Sequence, residues 1–180
     1  MIARITPIAT GLSEVLAVEA DERTVHAAVV AREGEGVAVR RAASVDATGD
    51  LARDLAAALA ALGPGARPRR AVLVTARATA VVLQVPPTAS LTPERIQGLV
   101  RYELEPYLHE ALREGGDLAC GWGDRGASGD RPGALLTCGL TASARDEARE
   151  AFERAGLQLV GLYPQLGCAA ALLPADEAQD

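Results

Sequence analysis

Valine and alanine dominate residues 15–20 and 24–31, and the charged triplet Asp21, Glu22 and Arg23 parts the two runs. Such a pattern predicts a β-hairpin. A third strand is expected over residues 36–45, after the turn Glu33, Gly34, Glu35. The period then becomes helical, with Leu51, Leu55, Leu59 and Leu62 on one face behind Asp50, a capping residue. Gly63 and Pro64 end that helix, the glycine through a left-handed cap and the proline through its rigid ring. Residues 71–75 form a short continuous apolar run, as expected of a strand buried on both faces.

The pattern restarts after Arg77. Residues 78–85 read as a strand, and residues 92–108 as a helix that Thr92 caps and Pro93 opens. Proline is tolerated at that position because its missing amide would lack a partner anyway. Ile96, Leu99, Val100, Leu104 and Tyr107 recur at helical spacing and predict one apolar face. Strands are expected over 117–122 and 134–140, joined by an exposed loop over 123–133 that is dense in glycine, aspartate, serine and proline. This glycine-rich stretch is no phosphate loop, since no helix start with lysine follows it. Ser143, with Asp146 three residues on, starts a helix whose inner face is Ala144, Ala148, Ala151, Phe152 and Ala155, ended by Gly156; a strand over 157–162 follows. The β-α-β-β-α-β succession predicts a split unit in which two helices cover one sheet face.

The order Arg101, Tyr102, Glu103, Leu104, Glu105, Pro106, Tyr107, Leu108 resembles the arginine-aromatic-glutamate-x-glutamate-x-tyrosine-aliphatic helix of PilM, the actin-like assembly protein of type IV pili. It is similar, less closely, to the cytoplasmic part of GspL in type II secretion. The alanine-glycine-leucine turn at Ala155, Gly156 and Leu157 and the order of elements agree with it. The resemblance implies an α/β chain that is half of an actin-like (ribonuclease H-like) fold. Residues 1–77 would be the first subdomain, 78–164 an inserted α+β subdomain of β-α-β-β-α-β order, and 165–180 a terminal helix with an acidic tail. It further implies a non-catalytic cytoplasmic scaffold, peripheral to the inner membrane. A PilN-like or GspM-like platform protein would be its partner, with an assembly ATPase or a second copy of the chain as further partners. Arg101, Tyr102, Glu103, Glu105 and Tyr107 are the candidate docking residues.

In nucleotide-binding members of that family the first hairpin turn carries a glycine, small hydroxyl residues and a lysine. Here the stretch reads Glu19, Ala20, Asp21, Glu22, Arg23, Thr24, Val25, His26, so Asp21 stands for the glycine and His26 for the lysine. Glycine would let backbone amides approach phosphate, whereas carboxylates repel it. Glu19, Asp21, Thr24 and His26 are therefore read as a degenerate phosphate loop with no cofactor. An actin-like protein also closes its cleft with a second half, so this chain is expected to be either a fragment or a reduced protein. The alternative function is the N-terminal half of an ATP-binding actin-like ATPase or kinase-like protein, with Glu19 and Thr24 at a metal-phosphate.

Composition narrows the chemistry. With 180 residues, 49% of them hydrophobic, the chain can bury about 70% of its unfolded surface in one domain or two small subdomains. A net charge of -6 offers no footprint for nucleic acid or anionic lipid. All 18 basic residues are arginine, which excludes lysine-dependent phosphoryl transfer and Schiff-base chemistry. Cys120, Cys138 and Cys168 lack metal-ligand spacing and read as core thiols in a reducing cytoplasm, and no long uncharged apolar run suggests membrane insertion. His26 beside Glu19 and Asp21, with Ser13 or Ser44, makes a poor hydrolase candidate because no G-x-S-x-G or H-E-x-x-H motif fixes a triad. Glu103 and Glu105 are two apart on a helix and point to different faces, so they form no carboxylate pair.

Overall fold

The computed structural model describes residues 3–4, 13–34, 36–65, 67–85, 92–107, 118–125 and 133–165. Leu108, His109, Cys168 and the tail after Gln165 lie outside the described residues, as do the side chains of Cys120 and Trp122. The chain divides into two compact units: residues 7–76 with 146–165, and residues 1–6, 77–145 and 166–180.

The first unit is built on a five-stranded mixed sheet. β2 (Glu14–Ala20), β3 (Thr24–Glu33) and β4 (Gly36–Asp46) form an antiparallel meander, and α1 (Leu51–Ala61) leads to β5 (Arg70–Thr75), which pairs parallel with β2. β9 (Gln158–Pro164) adds parallel to β5, giving the order β4-β3-β2-β5-β9. Strand alternation decides which side is buried: Leu16 and Val18 of β2 and Val25, Ala27 and Val29 of β3 face one core. Leu55, Ala58 and Leu59 of α1 enter that core, as do Ala148 and Phe152 of a helix described below. β5 is buried at Ala71, Val72, Leu73 and Thr75, as the continuous apolar run predicts.

Local chemistry sets the limits of α1. Asp50 accepts hydrogen bonds from the Ala52 and Arg53 amides at 3.0 and 3.1 Å, satisfying two donors that the first turn leaves open. Gly63, at φ 78°, takes the left-handed conformation that ends the helix after Leu62. Asp54 is a buried carboxylate in the first turn of α1, and Thr48 supplies its amide at 2.9 Å and its hydroxyl at 2.6 Å. Without those donors the buried charge would be unsatisfied.

The second unit carries a four-stranded sheet in the order β1-β7-β8-β6, of β1 (Ala3–Arg4), β6 (Thr79–Val85), β7 (Leu118–Arg125) and β8 (Gly133–Thr141). β8 runs antiparallel to both β6 and β7, and β1 parallel to β7. The helix α2 (Pro93–Leu104) packs on β6, β7 and β8, with Val100 and Leu104 fully buried. Thr137 of β8 is also fully buried and donates its hydroxyl to the Val81 carbonyl at 2.8 Å. Cys138 is buried beside it in β8.

Several expectations change here. The strand after the last helix does not complete the split unit: β9 pairs with β5, so the β-α-β-β-α-β succession is shared between two sheets. β7 runs on to Arg125, into the stretch read as loop, because Gly123, Asp124 and Arg125 pair with Leu136, Leu135 and Ala134 of β8. The last helix, α3, spans Ala142–Arg154, and Thr141 rather than Ser143 accepts the Ala144 amide, at 3.2 Å. β1 carries no signal in so short a segment.

Candidate functional site

β2 and β5 run parallel, as do β5 and β9, so the carboxyl ends of all three share one edge of the sheet. In open α/β sheets that edge is where ligands bind. The β2–β3 turn lies there. Asp21 Oδ1 accepts the Arg23 and Thr24 amides, each at 2.7 Å, and the Asp21 amide donates to the Thr24 carbonyl at 3.1 Å. Thr24 Oγ1 lies 3.3 Å from both carboxylate oxygens and 3.2 Å from His26 Nε2. The Arg23 amide, and then that of Thr24, hold the Asp21 carboxyl below the usual carboxylate range.

Of the four residues expected in this loop, Asp21, Thr24 and His26 are therefore linked. Glu19 sits opposite His26 in the strand register but points its Oε1 to Gln165, whose Nε2 donates at 2.9 Å. Gln165 is the residue that sequence reasoning missed, since only the pairing of β9 with β5 carries it to Glu19. The turn is also anchored from behind, where the Ala47 amide donates to the Arg23 carbonyl at 2.8 Å. Two adjacent amides converging on one point make an anion receptor. Here the anion is the chain's own carboxylate, so an incoming phosphate would have to displace a tethered competitor.

The second candidate group lies on α2 and the turn after it. Thr92 Oγ1 accepts the Arg95 amide at 3.4 Å, while Glu94 is held below its ordinary range by its own amide and by the Thr92 hydroxyl. Arg101, Tyr102 and Glu103 are exposed, and Glu105, Pro106 and Tyr107 form an exposed 3-10 turn. The expected apolar face is corrected at two positions: Leu99 and Tyr107 are 43% and 66% exposed, and only Val100 and Leu104 are fully buried, with Ile96 half-buried. At Tyr107 the reason is Pro106, which has no amide to donate to the Tyr102 carbonyl, so the α-helix stops at Leu104 and the tighter turn carries Tyr107 off the inner face; Leu99 lies at the outer margin of the helix face that Val100 and Leu104 bury. Leu99 and Tyr102, three apart, leave an apolar strip on the outside.

Among the described residues no cluster of three or more histidine, cysteine, aspartate or glutamate side chains could hold a metal ion, and no helix is long and apolar enough to cross a membrane.

The fold has counterparts among solved structures. One is the PilM-PilN type IV pilus biogenesis complex, at a TM-score of 0.58 and 19% identity, covering 84% of this chain and 47% of that one. The chain has a PilM-like fold. A second is the cytoplasmic domain of EpsL, an inner membrane component of the type II secretion system of Vibrio cholerae, at a TM-score of 0.50 and 16% identity, covering 84% and 57%. The PilM-like chain thus spans about half the length of the solved structures it matches. No protein-family model and no curated protein matches it.

Proposed function

We propose that this chain is a non-catalytic scaffold domain of a bacterial type IV pilus or type II secretion platform, working at the cytoplasmic face of the inner membrane. The observation that carries the reading is the likeness, over 84% of the chain, to structures from both kinds of machine. In this reading the five-stranded sheet is the first half of an actin-like fold, and residues 77–145 are a subdomain inserted between β5 and the return to α3 and β9. The role is to dock the cytoplasmic segment of a PilN-like or GspM-like membrane partner. The apolar strip of Leu99 and Tyr102, flanked by Arg101, Glu103, Glu105 and Tyr107, is the docking surface, since exposed aromatic and arginine side chains dominate interface energetics.

The turn at Asp21 supports the absence of nucleotide, because the amides that would hold phosphate are already occupied. Calorimetry with magnesium and ATP, followed by titration with the cytoplasmic segments of the PilN-like and GspM-like proteins of the same bacterium, tests both halves. The expected result is no heat with ATP and saturable binding of one segment, weakened about tenfold by Tyr102→Ala. Binding of ATP would instead establish the nucleotide-binding alternative, and failure of both segments would remove the scaffold role.

A further inference from the structure

The opposite end of the five-stranded sheet, where β5 and β9 begin, holds a cleft of about 500 Å³ lined by Arg69, Arg149, Glu153, Leu157 and Leu159 among others. Backbone hydrogen bonds frame it: the Gln158 amide donates to the Arg69 carbonyl at 2.7 Å and the Leu157 amide to the Phe152 carbonyl at 2.9 Å. Leu157 is buried and Leu159 half-buried, so the floor is apolar and the rim is charged. Arg69 and its neighbour Arg70 are exposed, and neither guanidinium has a hydrogen bond or ion pair among the described residues. Arg149 lies 3.9 Å from Asp146 and 3.8 Å from Glu153, both at the outer limit of an ion pair and both solvent-exposed. Such contacts are weak and yield readily to a carboxylate that can meet a guanidinium with two hydrogen bonds.

We propose that this cleft binds an acidic linear peptide segment of a partner protein, with carboxylates on Arg69 and Arg149 and an aliphatic side chain over Leu157 and Leu159. Charge complementarity selects that occupant: in a chain of net charge -6, Arg69 and the weakly paired Arg149 stand at one cleft. Glu153 on the same rim disfavours a doubly charged phosphate, and the apolar floor suits a side chain rather than a bare anion. The site lies at the end of the sheet away from the Asp21 turn and shares no residue with the docking surface proposed above.

The test is fluorescence anisotropy of the full chain with a short labelled peptide alternating glutamate and leucine, against a glutamine-leucine control. Saturable binding of the first alone is expected, with about tenfold losses in Arg69→Glu and in Arg149→Gln. Both variants replace exposed side chains, and unchanged urea unfolding would separate lost binding from lost folding. Equal binding of the two peptides, or undiminished binding by both variants, would overturn the proposal. So would binding of inorganic phosphate at these arginines with the peptide unbound. Peptide binding only after removal of residues 175–180 would assign the cleft to the chain's own acidic end and equally overturn the partner.

Discussion

At Asp21 a single carboxylate oxygen receives two backbone amides at 2.7 Å each, which favours the ionised form and lowers the pKa from its ordinary value. A group whose pKa is depressed by folding adds stability that is present above its unfolded pKa, about 3.9, and is lost as pH falls through the folded value. The Asp21→Asn variant keeps a side-chain acceptor but cannot ionise. Its unfolding midpoint should therefore lie below that of the parent chain at neutral pH, with the gap constant down to about pH 4 and closing below it. Thermal unfolding at a series of pH values measures this, and a gap independent of pH would show that the charge of Asp21 contributes nothing. Asp21 and Asp50 were legible as turn and cap residues because each bonds amides two or three positions away. Glu19 was not legible as a partner of Gln165, because 146 residues separate them and no local pattern links a glutamate to a distant amide.

On α2, Thr92 and Pro93 mark the start in sequence and in structure, yet the apolar period runs past the end of the helix to Tyr107. A helical period assigns residues to faces only while the helix lasts, and Pro106 stops it at Leu104. The element therefore has an inner side at Val100 and Leu104 and an outer strip at Leu99 and Tyr102. Leu104→Ala should cost about 2–5 kcal/mol, whereas Tyr102→Ala should stay within about 0.5 kcal/mol. Urea unfolding distinguishes the two, and a silent Leu104→Ala would mean that the faces are assigned wrongly. If Tyr102→Ala leaves folding intact, its effect on partner binding can be read without correction for stability.

For the whole molecule, the decisive event is the return of the chain to a core it left after Ala76: residues 7–76 and 146–165 share one core. Phe152 is fully buried there with Leu16, Val25 and Leu55, joining segments that are far apart in sequence. Phe152→Ala should remove about 3–5 kcal/mol, a large share of the 5–15 kcal/mol that holds a typical domain together. The denaturant midpoint reads that loss, and a shift below about 1 kcal/mol would argue that α3 does not close this core. By itself the amino-acid sequence determined most of the elements, the Asp50 and Thr92 caps and the Asp21 turn, since these rest on bonds spanning a few residues and on the two periods of strand and helix. The tertiary structure alone decided that β9 joins β5 rather than the second sheet. Parallel pairing leaves no turn between neighbouring strands, so no local residue records which strand will be the partner.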